Sequence, residues 1–350
     1  MNKKQKLCLN NTGIQKKENN VMDRMRRLRA NETIRSMVRE NVVSVEELIY
    51  PLFIIEGSNI CTPIDSMPGI CQYSIDRLSE ELERAKEVGI KALLLFGIPA
   101  HKDEIGSGAY DEQGITQQAI RFIKKEYPEF LVIADVCLCE YTSHGHCGLI
   151  RDGKILNDET LPLLSKTAIS YANAGADIIA PSDMMDKRVE AIRRALDENN
   201  LVDVPIMSYS AKFASGYYSP FRDAAHSAPG FGDRKTYQMD PANAKEALRE
   251  VEQDIKEGAD FIIAKPAMAY MDIIKEISNH YNIPIIAYNV SGEYAMVKAA
   301  AQNGWIDEKK IIMENMVGLK RAGAKMIITY HALDVAKWIE EEYRMGRGKR

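Results

Sequence analysis

Eight short apolar or β-branched runs alternate with segments of helical spacing, and that alternation limits the folds open to this chain. The runs are LIYPLFII (48–55), ALLLFGI (92–98), FLVIADV (130–136), ADIIAPS (176–182), VPIMSYS (204–210), FIIAKPA (261–267), IPIIAYNV (283–290) and MIITYHA (326–332). They are too continuous for half-exposed antiparallel strands and suit strands buried on both faces. SIDRLSEELERAKEVG, RVEAIRRALDENN and AKEALREVEQDIKEG, among others, lie between them with helical periodicity. Four of the runs follow similar punctuation, VGIK (88–91), AGAD (174–177), EGAD (257–260) and AGAK (322–325). A glycine that closes a helix, followed by a polar residue at the strand start, accounts for the recurrence. Eight such units predict an α/β fold, a (β/α)8 barrel. The alternative, a doubly wound open sheet, should carry a glycine-rich phosphate loop, and neither GxGxxG nor GxxxxGK[ST] occurs.

With 350 residues, 45% of them hydrophobic, the chain can build one large core without staples. Forty-six basic against fifty acidic residues leave a net charge of −4, so no general attraction to nucleic acid is expected. No run approaches the roughly 18 apolar residues of a membrane span, and the polar, basic start lacks the apolar stretch of a secretory signal. Six cysteines are too few for a disulfide scaffold. Three of them crowd into residues 137–147, which favours a metal or redox site in a reducing compartment, and hence a cytoplasmic protein. Composition sets off a folded domain (40–340) from a polar N-terminal segment (1–39), which could form an arm, a short helix or a frayed end, and from a basic tail (341–350).

Barrel enzymes place their chemistry at the C-terminal strand ends. Lys265 closes the predicted sixth strand before a proline, and Lys212, just past the fifth run, closes the neighbouring fifth strand. Buried lysine loses its proton more readily, two neighbouring ammonium groups repel, and a neutral amine attacks ketones to form Schiff bases. In DVCLCEYTSHGHCG, Cys137, Cys139 and Cys147 could wrap a soft tetrahedral ion, zinc by default. That would leave a fourth position for water or substrate, or for His146 in a closed structural site. Asp135 is a candidate base. The thirty or so residues after Lys212 read as a lid without helical period. Arg222, Arg234, Lys235 and Gln238 there offer donors to a carboxylate, which implies an anionic substrate. Glu246, Glu250 and Glu257 read as the wet face of a helix.

At the two lysines and the cysteine cluster the chain resembles the zinc-dependent porphobilinogen synthases, or 5-aminolevulinate dehydratases. The segments DVCLCEYTSHGHCG, APSDMMD, YSAKFASGYYSPFRDA, DRKTYQMDPAN, AKPAMAYMDII and NVSGEYAM carry the resemblance, which runs from about Arg26 to Trp338. It implies a (β/α)8 barrel whose extended N-terminal arm embraces a neighbouring subunit, usually in a homo-octamer. It also implies the condensation of two 5-aminolevulinate molecules to porphobilinogen with loss of two waters. By the same resemblance Lys265 holds the propionate-side substrate and Lys212 the acetate-side one, with Asp135 assisting proton transfer and zinc on Cys137, Cys139 and Cys147. Arg222, Arg234 and Gln238 would grip the acetate-side carboxylate, Ser291 and Tyr330 the propionate-side one, and Ser182 and Tyr218 would line the pocket. An allosteric magnesium would sit at Glu250. The chain departs from the family in reading SDMMDKR, so that Lys187 replaces a small residue beside the pocket. Two rivals remain: a class I aldolase, which needs one such lysine and no thiolate triad, and a metal-responsive scaffold that has lost turnover.

Overall fold

The computed structural model describes residues 24–347 and divides the chain into two compact units, Met1–Glu40 and Asn41–Arg350. In the first unit, a turn of 3-10 helix (Met25–Arg29) precedes a short helix, Glu32–Met37. Asn31 caps that helix by accepting from the Ile34 N–H at 2.9 Å. Neither element buries a residue. Most of the segment read as an arm, residues 1–23, lies outside the described residues, as do residues 348–350 of the tail.

In the second unit all eight runs become strands: β1 (Leu48–Ile55), β2 (Ala92–Ile98), β3 (Leu131–Val136), β4 (Ile178–Pro181), β5 (Met207–Lys212), β6 (Phe261–Lys265), β7 (Ile285–Asn289) and β8 (Met326–Thr329). They pair in parallel in the order β4-β3-β2-β1-β8-β7-β6-β5. A parallel bridge between Ile179 and Ile206 joins the two ends, and with it the sheet closes into a barrel. Helices ring it, and the core accordingly has two layers. Ile49, Phe53, Leu94, Ile133, Met207, Ile263, Ile286 and Ile328 fill the barrel interior. Their strand neighbours, such as Leu48, Leu52, Leu93, Leu95 and Ile262, pack outward against helices. This two-residue period is why each run must be apolar throughout.

The repeated punctuation has the expected cause. Gly89, Gly175, Gly258 and Gly323 follow helices Leu78–Glu87, Asn157–Ala174, Ala244–Glu257 and Glu308–Ala322, each with φ between +80° and +122°. A residue with a Cβ would be strained there.

Two small hairpins escape sequence reading because strands of three residues show no period. Cys61–Pro63 pairs with Cys71–Tyr73, and Leu149–Arg151 with Lys154–Leu156. The lid likewise contains a 3-10 turn, Gly216–Tyr218, and a six-residue helix, Ser219–Ala224, too short to reveal a helical repeat. Charges on the helix Ala244–Glu257 are not all wet, because Asp254 and Glu257 are buried. Among the described residues, no helix is long and apolar enough to cross a membrane.

Lys187 is exposed and sits just before the helix Arg188–Glu198 in left-handed backbone, φ +64°. A small residue suits that position because a β-carbon there costs roughly 1 kcal/mol. Lys187→Gly is therefore expected to raise stability by about 1 kcal/mol in denaturant titration. The cavity at the barrel mouth should be unaffected, since Lys187 is not among the residues lining it.

Candidate active site

At the C-terminal mouth, β5 and β6 end in lysines paired in register, Lys212 opposite Lys265. Alternation alone does not bring this about. Met207 and Tyr209 face the interior, so residue 211 would be expected to follow them, but the β5–β6 register shifts by one residue between Ile262 and Ala264. That bulge reverses the parity and turns Lys212 inward, as bulges beside active sites commonly do.

The two amines have different surroundings. Lys212 Nζ donates to the Ser182 carbonyl, and the Ser182 hydroxyl donates to Asp135 Oδ1 at 2.8 Å. Lys265 Nζ instead lies inside an aromatic cage, 4.3 Å from the Tyr288 ring centre, 4.9 Å from Phe221, 5.1 Å from Tyr209 and 5.3 Å from Tyr218. Burial, with the charge of Lys212 second, pulls Lys265 down to about 7. Asp135 is pushed up to about 7, first by burial and then by Glu140, while both lysines pull the other way. Its Oδ2 is buried without a hydrogen-bond partner among the described residues.

Behind Asp135, the sulfurs of Cys137, Cys139 and Cys147 lie within 4.8 Å of one another, all buried, with Cys137 and Cys139 Sγ 3.3 Å apart. Burial raises the Cys137 thiol, whereas hydrogen bonds from Cys137 and Cys139 pull Cys147 down. Three converging thiols with shared protons fit a thiophilic metal such as zinc. His146 does not complete a closed site. Its Nδ1 meets the Tyr237 hydroxyl at 3.0 Å and its Nε2 meets the Phe231 carbonyl at 3.0 Å, so both ring nitrogens are engaged.

The lid supplies cations. Arg222 and Arg234 reach the cavity with buried Nε atoms that have no partner among the described residues, and neither amide atom of Gln238 has one there. Burial and then the charge of Arg234 depress Arg222. Unpaired guanidinium donors at one mouth call for an anion. Tyr218 also lines the cavity, but its hydroxyl is spent on the Phe213 and Lys265 carbonyls, at 2.8 and 3.1 Å.

Lys212, Lys265, Asp135, Ser182, Tyr218, Arg222, Arg234 and Gln238 thus share one cavity, whose free volume is only about 20 Å³, room for about one water. Ser291 and Tyr330 are not among its lining residues. The Ser291 hydroxyl accepts from the Phe221 N–H at 3.0 Å and donates to the Tyr217 carbonyl at 3.3 Å. Tyr330 pairs with the Tyr288 hydroxyl at 3.0 Å. Phe221 lines the cavity, its ring packed on Phe53 and Phe96 and its backbone N–H bonded to Ser291. Gly292 permits this seating, because a β-carbon there would come 2.5 to 2.9 Å from Tyr217 backbone atoms. Glu250 lies elsewhere, half-buried in a surface cavity with Asp186 and Glu246. Lys187 lines that cavity as well, which places it away from the pocket it was expected to flank.

Sequence reading missed Phe96, Phe221 and Glu140, which line the cavity, and Tyr209 and Tyr288, which cage Lys265. Phe96, Tyr209 and Tyr288 were detectable as inward positions two residues along from Leu94, Met207 and Ile286. Glu140 gave only its adjacency to Cys139.

Fold and site together define a (β/α)8-barrel enzyme with paired buried amines beside a cluster of metal-competent thiols. The family profile described as "Delta-aminolevulinic acid dehydratase" matches residues 22–338. A delta-aminolevulinic acid dehydratase of Halalkalibacterium halodurans is 58% identical over 319 residues, covering 91% of this chain and 97% of the relative. One of Staphylococcus aureus is 58% identical over 321 residues, covering 91% and 99%. The crystal structure of the Toxoplasma gondii enzyme in complex with its product porphobilinogen superposes with a TM-score of 0.89 at 45% identity, covering 91% of this chain and 92% of that one. The chain belongs to the delta-aminolevulinic acid dehydratase (porphobilinogen synthase) family and is a lyase of that type.

Proposed function

We propose that this chain condenses two 5-aminolevulinate molecules to porphobilinogen, the family reaction, through Schiff bases on Lys265 and Lys212. The observation that carries the reading is two buried amines in register in one cavity, with unpaired guanidinium donors above them. The neutral Lys265 amine attacks a substrate ketone, loss of water leaves a neutral imine, and a proton taken from Asp135, which lines the same cavity, turns it into an iminium. The ring faces that surround Nζ favour that cation. Lys212 forms the second Schiff base, and Asp135, perturbed toward neutrality, exchanges protons beside it. Arg222, Arg234 and Gln238 take the acetate-side carboxylate. Ser291 and Tyr330 take the other, and Ser182 and Tyr218 line the pocket.

Zinc on Cys137, Cys139 and Cys147 supplies a Lewis acid that eases loss of a proton from a group it holds. Magnesium at Glu250 belongs to the same reading. Among the described residues only the cysteine trio brings three ligand atoms together, so Glu250 would hold magnesium largely through water. Burial raises Glu250, and a divalent cation would relieve that. We further read residues 1–39 as an arm for contacts with other copies of the chain, in a homo-octamer, and the protein as cytoplasmic.

The test is pyrrole formation from 5-aminolevulinate, followed with Ehrlich's reagent. The expected result is activity that a zinc chelator removes and added zinc restores, with further stimulation by magnesium that Glu250→Gln abolishes. Chelator-resistant turnover without pyrrole would instead support an aldolase. No pyrrole from zinc-loaded protein would overturn the synthase reading, and equal stimulation of Glu250→Gln would remove magnesium from that site.

A further inference from the structure

Glu140 is a buried acid that the reading above leaves without a task. It is 4% exposed and lines the cavity that holds both lysines. Among the described residues its one hydrogen-bond partner is the Cys139 thiol, 3.2 Å from Oε2, and no lysine or arginine pairs with it. The nearby Lys102 ammonium is committed to the His226 carbonyl at 2.6 Å. A carboxylate buried without a counter-cation is costly and persists where something else supplies the charge.

Glu140 stands outside the group of side chains that could hold a metal ion. Carboxylate oxygens can bind metals as thiols do, yet among the described residues only Cys137, Cys139 and Cys147 converge within 4.8 Å of one another. Glu140 therefore touches one edge of the trio and otherwise faces the pocket. The cations there, Lys212, Lys265, Arg222 and Arg234, suit the ketones and carboxylates of two substrates. Each 5-aminolevulinate also brings a primary ammonium. The pocket offers two buried carboxylates for these, one for each substrate: Asp135, whose Oδ1 accepts from Ser182 beside Lys212, and Glu140 at the thiol end.

We propose that Glu140 binds the ammonium of a substrate at the thiol end of the pocket and selects amino ketones over plain keto acids. The proposal rests on the assignment of this cavity as the substrate site. A charge-assisted hydrogen bond in a dry pocket gives such discrimination, since a ligand without the amine leaves the carboxylate unpaired.

The test compares 5-aminolevulinate with 4-oxopentanoate, the same keto acid without the amine, on zinc-loaded protein. Glu140→Gln is expected to raise the KM for 5-aminolevulinate about tenfold. It should change the inhibition constant of 4-oxopentanoate, and the zinc content, less than about twofold. Glu140→Asp keeps the charge and should lie between wild type and Glu140→Gln. If Glu140→Gln does not fold, Glu140→Asp is read alone, with a larger loss for 5-aminolevulinate than for 4-oxopentanoate expected. Equal losses for both compounds, lowered zinc with selectivity intact, or no change would overturn the proposal. Failure of wild-type protein to form a borohydride-reducible adduct with 4-oxopentanoate would instead strike the assignment of the cavity, and the Glu140 proposal with it.

Discussion

Lys265→Met is expected to lower pyrrole formation by about four orders of magnitude while making the protein more stable. The loss follows from removing the nucleophile, whose place no other group in the aromatic cage can take. Borohydride with substrate should then leave no adduct at residue 265 by mass spectrometry. The gain follows from linkage. An unfolded lysine titrates near 10.4, whereas Lys265 in the fold titrates at about 7. Above both values the amine is neutral in both states and costs nothing through protonation. Between them the unfolded chain binds the extra proton, so stability falls as pH drops from about 10 toward 7, and below 7 the full cost remains. Methionine fills similar space without that cost, so Tm should rise by a few degrees at pH 6 to 7, with a smaller difference near pH 10. The same shift predicts that wild-type kcat/KM rises roughly tenfold from pH 6 to 8, as the free amine fraction grows, and then levels. A flat profile, or a methionine variant that makes pyrrole, would remove Lys265 from the chemistry.

Cys137→Ala is expected to reduce zinc affinity at least about 100-fold and to carry activity down with it, because two thiols cannot hold the ion that three converge on. The measurements are zinc per chain after dialysis and pyrrole formation with increasing zinc. Recovery only at high zinc would tie the loss to the metal. A zinc-free variant with full activity would show that the trio has no part in turnover. The fold should survive, since Cys137 lies just past β3 and its removal leaves the strand pairing intact.

Much of the barrel was legible because burial on both sheet faces leaves a mark in one dimension. Leu48–Ile55 and Ala92–Ile98 match their apolar runs residue for residue. Glycines such as Gly258 mark the turns, since left-handed backbone favours that residue. The fifth run was less faithful. VPIMSYS begins three residues before β5 and stops two short of Lys212, because hydrophobicity does not record where pairing with a neighbour starts. Asp135 and Lys265 could be named from strand ends, and the cysteines from their crowding. The short helix Ser219–Ala224, with Phe221 lining the cavity, could not, since six residues have no readable period.

The sequence by itself determined the eight strands, the inward and outward sides of most of them, and the residue types capable of the chemistry. Those properties depend on neighbours along the chain, through backbone periodicity and the preferences of single residues. The tertiary structure alone decided that a one-residue register shift turns Lys212 to face the cavity with Lys265, and that four rings from β5, the lid and β7 surround Lys265. It also decided that both nitrogens of His146 are engaged away from the thiols. Each of these outcomes rests on pairing or packing between segments far apart in the chain, where local periodicity carries no information.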